Sequence, residues 1–416
     1  MTRDRCLPLK GGGCRVTVRG GPDSDVLDRR ARITSAALRA AYAWSVRDRE
    51  RRAFEEIARM TGVVMFELGP GNGPVTPLEL VRSLRRPLGK LLPPLRDDAK
   101  GGYGPGIDEV VLLGDDDTLT DVAYEIGSDY VREVINGLDS GRDWLPSWSW
   151  MRANDIENEL FGRLIAAHDE AAYRAARQFV VELPAGEEQA VVEECNARGA
   201  MRVARYVPIT EGQSYRCGQR RWWWPCRVCG WPMDVRGRLV RCRYPYHMAT
   251  YQVAERSGKG PILIAVDQRL PVGVKRGLPE RHDADISIQA EEAVWQFIVV
   301  PGATEVRLWR LLTEAGAKVE LYPGCDTYDL DITVGKRPWD VDVKEHATVE
   351  GLLRRIREKP PSARHILVPD THKGQLHAVE QALPTYRVLT ESQLIKQVKN
   401  EIRRQKRSRD DAATSA

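Results

Sequence analysis

The sequence predicts a multidomain α+β protein, and three observations support that class. Residues 24–199 carry apolar side chains every three to four positions, as amphipathic helices do. Residues 207–254 lose that periodicity and concentrate cysteine, tryptophan and arginine. After residue 286, helical and strand patterns alternate, which is typical of an α/β domain. We therefore expect a mostly helical N-terminal region, a small cysteine-rich module and a C-terminal α/β domain.

The domain boundaries follow from these changes in pattern. A chain of 416 residues has room for about two to four domains. The predicted parts are a helical region at 1–206, a zinc-binding module at 207–254, a Gly- and Pro-rich linker at 255–285, the α/β domain at 286–400 and a charged tail at 401–416.

Composition limits the class of protein but not its partners. The net charge is +4, and acidic and basic residues are abundant throughout, so the overall charge does not indicate a partner. No apolar run approaches the roughly 18 residues of a membrane helix, and the N-terminus lacks a signal-peptide pattern. We expect a cytoplasmic protein with no membrane partner.

Two consecutive strands in the C-terminal domain gather acidic residues on one face. In 328–334, YDLDITV, alternation places Asp329 and Asp331 on the polar face. After the turn GKRP, the segment 339–344, WDVDVK, places Asp342 and Lys344 on the polar face. The sequence therefore predicts a hairpin whose polar face carries several carboxylates and an amine.

Such a concentration of carboxylates favours a divalent cation. Mg²⁺ prefers carboxylate and water oxygens, and Mn²⁺ can replace it. A bound cation of this kind activates water and offsets negative charge on a phosphodiester. Lys344 is placed to orient the attacking water or to neutralise charge at the phosphate.

Glu305 is the third predicted contributor to this site. The helix that begins after Pro301-Gly302 places Glu305 on the same stripe as Leu308 and Leu312, so its carboxylate is expected to point inward.

In order and context, Glu305, Asp329 and the triplet Asp342-Val343-Lys344 resemble the helix acid, the PD acid and the (D/E)XK tripeptide of restriction-endonuclease-like nucleases. Tyr328 stands where the motif has proline. The resemblance implies a PD-(D/E)XK fold with Asp329 and Asp342 as Mg²⁺ ligands. Asp331 is the alternative ligand, because a tight symmetric hairpin would place it opposite Asp342.

The cysteine-rich module has the ligand spacing of a zinc site. Cys226 and Cys229 are separated by two residues, and Cys242 and His247 follow. Cys217 is the alternative to His247 as fourth ligand. Because all four ligands come from the protein, we expect a structural rather than a catalytic Zn²⁺.

Arginine and tryptophan are interleaved around the zinc site. Between Ser214 and Arg243 there are eight arginines and a single aspartate, with tryptophan at 222, 223, 224 and 231. This composition suits phosphate contact and base stacking. The alternatives are that the tryptophans fill the core of a small module or dock on a partner protein.

The segments CRVCGWPM, PGATEVRLWRLL, YPGCDTYDLDI and VDVKEH together resemble the restriction-endonuclease-related proteins of pPIWI-RE three-gene islands. The resemblance covers the chain from about Val207 onward. It implies a bacterial defence system against plasmids or phage, in which such a protein acts beside a PIWI-like protein and a DinG-type helicase.

The function we predict is a Mg²⁺-dependent DNA endonuclease. Its alternatives are a non-catalytic DNA-binding or scaffolding subunit, and a nuclease acting on RNA or branched DNA. A homodimer would suit double-strand cleavage. For the N-terminal half we expect a helical interaction or DNA-clamping domain.

Overall fold

The computed structural model describes residues 22–94, 106–120, 122–123, 126–127, 161–162, 164–200, 205–256, 260–346 and 348–414. Over these ranges the protein is a mixed α+β structure with several sheets, as predicted. Parts of the predicted helical region, 1–21 and 128–160 among them, lie outside the described residues.

The N-terminal region is mostly helical where it is described. Its helices are α1 (Pro22–Ser45), α2 (Ala53–Leu68), α3 (Pro77–Leu84), α4 (Glu170–Glu182) and α5 (Glu188–Ala197). The Thr76 hydroxyl caps α3 by accepting from the Glu79 amide, 3.2 Å away. An alanine-rich face of α1 packs on α2 and α3 around Leu38, Ile57 and Leu80, which builds a separate N-terminal core.

The middle of the chain forms three small antiparallel sheets. The strands are β1 (Ala185–Glu187), β2 (Tyr206–Pro208), β3 (Tyr215–Cys217), β4 (Arg220–Trp223), β5 (Asp234–Arg236), β6 (Leu239–Arg241), β7 (Ala249–Arg256), β8 (Gly260–Gln268), β9 (His282–Asp283) and β10 (Ser287–Ala290). Their orders are β1-β10-β2, β3-β4-β9 and β5-β6-β7-β8.

The segment predicted as a linker, 255–285, contains regular structure. Strand β8 pairs antiparallel with β7 along its length, and β9 pairs with β4. The apolar run from Pro261 to Val266 supplies β8, with Leu263 buried against the module. The flanking Gly, Pro and charged residues hid this short strand in the sequence pattern.

The C-terminal elements follow the predicted order. They are α6 (Glu292–Val294), a π-helical segment (Trp295–Val299), α7 (Val300–Glu314), β11 (Lys318–Leu321), a helical turn (Pro323–Asp326), β12 (Leu330–Val334), β13 (Arg337–Val343), α8 (Val349–Glu358), β14 (His365–Val368), α9 (Leu376–Ala382), β15 (Arg387–Thr390) and α10 (Glu391–Thr414). The π segment directly precedes Pro301, which cannot donate a helical N–H.

One five-stranded sheet organises this domain. Its order is β11-β12-β13-β14-β15, with antiparallel pairing from β11 to β13 and parallel pairing from β13 to β15. Leu352 of α8 and Val379 of α9 share a buried cluster with Ile366 of β14, so both helices cover one face. In the main core, Leu308 of α7 and Val398 of α10 join the apolar residues of β12 and β13.

The predicted charged tail, 401–416, is helical as far as Thr414, because α10 continues through it. Ile402 is buried while the charged residues around it are mostly exposed, so this part of α10 is amphipathic. Among the described residues, no helix is both long and apolar enough to cross a bilayer.

The main core crosses the predicted domain boundaries. It joins Phe179 of α4, Trp231 of the cysteine-rich module and Leu308 of α7 in one buried cluster. The helical region, the module and the five-stranded sheet are therefore packed together around the site described next.

Candidate functional site

The register of the β12–β13 hairpin sets its acidic residues opposite one another. Leu330 pairs with Val341, which places Asp329 across from Asp342, and the Asp329 amide donates to the Val341 carbonyl at 3.2 Å. The turn needs only Gly335 and Lys336, and Gly335 adopts a φ of +60° there. Both acids are buried, with exposures of 6% and 7%.

Asp331 lies elsewhere on the same hairpin face. It pairs with Asp340, so the hairpin register that would have placed Asp331 opposite Asp342 does not form. Its carboxylate accepts from the Tyr328 hydroxyl at 3.2 Å and is only partly buried. The structure therefore separates Asp331 from the acids at the end of the hairpin.

Lys344 follows β13 and lies against these acids. Its Nζ donates to Asp342 Oδ1 at 2.6 Å, and its amide donates to the Leu367 carbonyl at 2.8 Å. Burial lowers the pKa of Lys344, but the carboxylates of Asp342 and Asp329 outweigh it, so the pKa lies above its usual range. The amine is therefore held in its charged form.

Glu305 is 2% exposed on α7, which confirms the predicted inward direction. Burial raises the pKa of Glu305, and the Arg177 guanidinium offsets part of that effect. Burial also raises the pKa of Asp329 well above its usual range, and the nearby carboxylates of Glu305 and Asp342 add to it. Three of the predicted acids are thus close enough to disfavour one another's ionisation.

Sequence reasoning missed two members of this cluster, Asp326 and Arg177. Arg177 on α4 forms an ion pair with Asp326, and its Nη2 lies 3.4 Å from Glu305 Oε2. The cluster thus has four carboxylates and two cations, which leaves two negative charges when every group is ionised. A single divalent cation would balance them.

A strained turn carries Asp326 into the cluster. Between β11 and β12, Tyr322, Cys325 and Asp326 have φ values of +52°, +53° and +73°. Residues other than glycine rarely adopt this left-handed region, and each costs about 1–2 kcal/mol. The Pro323-Gly324 pair indicates a turn in the sequence. Nothing in the local sequence indicates that Asp326 contacts Arg177.

The cysteine-rich module forms the predicted cluster. One ligand atom from each of Cys226, Cys229, Cys242 and His247 lies within 4.8 Å of the others, and all four residues are buried. Cys242 Sγ is 3.2 Å from His247 Nδ1. Cys217, on β3, lies outside the group, so the alternative fourth ligand is excluded.

Burial and mutual contacts shift the pKa values of the thiols in this cluster. Burial raises the pKa of Cys242 well above its usual range. For Cys226, hydrogen bonds with Cys229 and Cys242 overcome the opposing effect of burial and hold the pKa well below its usual range. Thiolates also attract a cation such as zinc, for which three sulfurs and one imidazole are a common ligand set. The residues can therefore bind a metal such as zinc.

The tryptophans of the module belong mainly to the core. Trp223, Trp224 and Trp231 are 1–2% exposed, and Trp231 stacks on Trp295 with ring centroids 4.4 Å apart. Base stacking by these three is therefore excluded, and the core-filling alternative applies. Trp222 is only partly buried, and the Arg281 guanidinium covers it at 4.8 Å.

Two family models match the chain. The model described as REase associating with pPIWI_RE matches residues 302–406, and pPIWI_RE three-gene island domain Y matches residues 30–187. Together these matches support a pPIWI-RE island protein, and the REase description hints at a nuclease. No curated protein and no solved structure matches it.

The two matched segments contribute different residues to the clusters described above. The REase match contains Glu305, Asp326, Asp329, Asp342 and Lys344, while the domain Y match contains α4 and Arg177. The Cys3His cluster lies between the two matches. The acidic cluster is therefore assembled from both domains.

Proposed function

We propose that this protein is a metal-dependent DNA endonuclease of the PD-(D/E)XK type, acting in the defence role of a pPIWI-RE island. The observation that carries the proposal is the convergence of Glu305, Asp329, Asp342 and Lys344 at one end of the β12–β13 hairpin. These four residues lie within the part of the chain that the REase family model matches. The mixed five-stranded sheet, flanked by α7, α8, α9 and α10, supplies the frame.

The cluster fits a divalent cation. Asp329 and Asp342 offer carboxylate oxygens from adjacent strands, and Glu305 offers another from α7. Oxygen donors of this kind suit Mg²⁺ or Mn²⁺. Burial raises the pKa of Asp329, and the carboxylates of Glu305 and Asp342 raise it further. A cation bound by Asp329 and Asp342 would offset this concentration of negative charge.

Bound there, the cation would supply Lewis-acid activation of water and charge stabilisation at phosphate. The chain's own residues do the rest. Lys344, fixed by Asp342 at 2.6 Å, presents a charged amine to a phosphate oxygen or to the attacking water. Glu305, buried on α7, fixes the third side of the site. The rigid strands hold these groups in place before substrate binds.

The Cys3His cluster is proposed to hold a structural Zn²⁺. All four positions are protein ligands and all are buried, which leaves no open position for chemistry. It lies next to the C-terminal domain, since the Tyr246 ring packs 4.0 Å from the His372 ring. The zinc would therefore hold a loop that supports the domain carrying the acidic cluster.

The proposed partners follow from the family descriptions and from the chemistry. The family name describes association with pPIWI_RE, so we propose a PIWI-like protein as a partner. A DinG-type helicase is proposed as a second partner from the sequence resemblance alone. DNA is the proposed substrate, and a homodimer is the proposed form for cutting both strands.

The test is cleavage of plasmid, linear and single-stranded DNA by wild type and by the Asp342→Ala/Lys344→Ala double mutant, with and without Mg²⁺. The proposal expects cutting only by wild type with metal. If both proteins bind DNA and neither cuts it, alone or with the island partners, the protein is a DNA-binding or scaffolding subunit. Cleavage confined to RNA or branched DNA would overturn the proposed substrate.

A further inference from the structure

Arg177 connects the domain Y region to the acidic cluster of the REase region. It lies on α4, within the segment that the domain Y model matches, and is only 8% exposed. Its Nη1 contacts Asp326 Oδ2, and its Nη2 lies 3.4 Å from each carboxylate oxygen of Glu305. A single guanidinium thus bridges two of the four acids in the cluster.

The guanidinium is held in one position by aromatic groups. Its Cζ lies 4.4 Å from the centroid of the Tyr322 ring, and Nη1 donates to the Tyr173 hydroxyl at 3.0 Å. The Tyr173 and Tyr322 rings meet edge to face at 6.3 Å. Arginine is suited to such a place because its planar group can stack on a ring while donating in its own plane.

The backbone around these contacts is also arranged for them. Asp326 ends the helical turn with a left-handed φ of +73°, and its carboxylate lies beside the Arg177 guanidinium. Gly302 of α7 lies so close to Val181 of α4 that an added Cβ would overlap the valine side chain. The two helices therefore approach closely on the side where Arg177 faces Glu305.

We infer that Arg177 is a positioning residue of the nuclease site, through which domain Y fixes the orientation of Glu305 toward the metal. The inference rests on the proposed function. Without the guanidinium, the buried Glu305 carboxylate would lose the cation that faces it. Since Arg177 lies outside the REase match, the REase region by itself would lack this ion pair to Glu305.

Such a role predicts a change in metal affinity, because partners that orient a ligand typically contribute about 10- to 100-fold to metal binding. We expect Arg177→Met to weaken Mn²⁺ binding by about 10-fold or more. Arg177→Lys, which keeps the charge, should restore part of the affinity. Glu305→Gln should weaken binding similarly, and the Arg177→Met/Glu305→Gln double mutant should lose little more than either single mutant.

Arg174 provides a matched control. It lies one turn earlier on α4 and also contacts the C-terminal domain, with its guanidinium 2.5 Å from Glu320 Oε1 and 2.8 Å from the Leu321 carbonyl. It makes no contact with Glu305 or Asp326 among the contacts of the described residues. Arg174→Met should therefore leave Mn²⁺ binding unchanged while losing a similar interdomain contact.

The experiment is a titration of the full-length chain with Mn²⁺, followed by the electron paramagnetic resonance signal of free Mn²⁺, with thermal unfolding measured on each variant. Weakened binding in folded Arg177→Met, partial rescue by lysine and non-additivity with Glu305→Gln would support the inference. Wild-type affinity in Arg177→Met, or full additivity with Glu305→Gln, would overturn it. If wild type itself binds no Mn²⁺, the proposed nuclease site fails instead.

Discussion

Asp329 accepts a hydrogen bond from the backbone amide of Val343, with 2.6 Å between Oδ2 and the nitrogen. Val343 is the residue between Asp342 and Lys344, so this bond ties the acid that precedes β12 to the triplet that ends β13. An intramolecular hydrogen bond contributes about 0.5–1.5 kcal/mol net. The two halves of the predicted motif are thus joined by a direct hydrogen bond.

This relationship predicts which aspartate binds the cation. Asp329→Asn should weaken Mn²⁺ binding by about 100-fold or more, since it removes a charged ligand at the centre of the cluster. Asp331→Asn is the matched control, because Asp331 lies on the same hairpin face but opposite Asp340. Calorimetric titration measures both. Loss of binding in the Asp331 variant alone would show that the wrong aspartate has been assigned.

The Cys3His cluster predicts a dependence of stability on zinc. Metal analysis should find one zinc per chain, and Cys226→Ser should lose it. Removing a structural metal ligand costs about 3 kcal/mol, which at about 2–4 °C per kcal/mol lowers the Tm by about 6–12 °C. Cys217→Ser should change neither zinc content nor Tm, because Cys217 lies outside the cluster. Equal losses in the two variants would contradict the site.

Gly302 lies where α4 and α7 approach closely, and its replacement tests how much this contact stabilises the protein. Gly302→Ala should destabilise the protein by about 1–3 kcal/mol, because its Cβ would overlap the Val181 side chain. Gly62 lies inside α2 with nothing within 4 Å of an added Cβ, so Gly62→Ala should stabilise by about 0.5–1 kcal/mol. Denaturant unfolding gives both values. A neutral Gly302→Ala would mean that the two helices separate at little cost.

Glu345, directly after Lys344, predicts a pH dependence of stability. Burial raises the pKa of its carboxyl from 4.5 to about 7, although the nearby His247 lowers it in part. The folded state therefore holds this proton more tightly than the unfolded state, and stability falls as the pH rises from about 4.5 through about 7.

Glu345→Gln should remove that fall. The variant should match wild type near pH 4.5 and exceed it above pH 7 by on the order of 1–3 kcal/mol. Denaturant unfolding at both pH values, with zinc present, measures the difference. Glu314→Gln, at an exposed position of α7, controls for the change in net charge. A difference between Glu345→Gln and wild type that is the same at both pH values would contradict the assignment.

The parts of the site that could be predicted are those marked by strand alternation, helical spacing or ligand spacing in the local sequence. Alternation along β12 and β13 identified the buried face of Leu330 and Val341, and therefore the opposite face with Asp329 and Asp342. The helical stripe of Leu308 and Leu312 placed Glu305 inward in the same way. The ligand spacing from Cys226 to His247 likewise identified the Cys3His cluster, since one cysteine knuckle and a later turn bring four ligands together.

What could not be predicted depends on packing between distant segments. Arg177 shares a helical stripe with Tyr173 and Val180, which could have indicated an inward side chain. No local pattern identifies its partner Asp326, which lies 149 residues later in the chain. The pairing of Asp331 with Asp340 depends on a two-residue turn. The composition of the GKRP segment does not determine the length of that turn, and therefore leaves the strand register open. The burial of Trp223 and Trp231 depends on the rest of the core closing over them, including Trp295.

The most direct test of the central claim is Mg²⁺-dependent plasmid cleavage by wild type, Asp342→Asn and Asp340→Asn, assayed side by side with the same island partners present. Asp340 lies two residues away on the same strand face and pairs with Arg364 instead of the cluster. We predict that Asp340→Asn cuts as wild type does and that Asp342→Asn is slower by about 100-fold or more. Equal cleavage by Asp342→Asn and wild type would contradict the account.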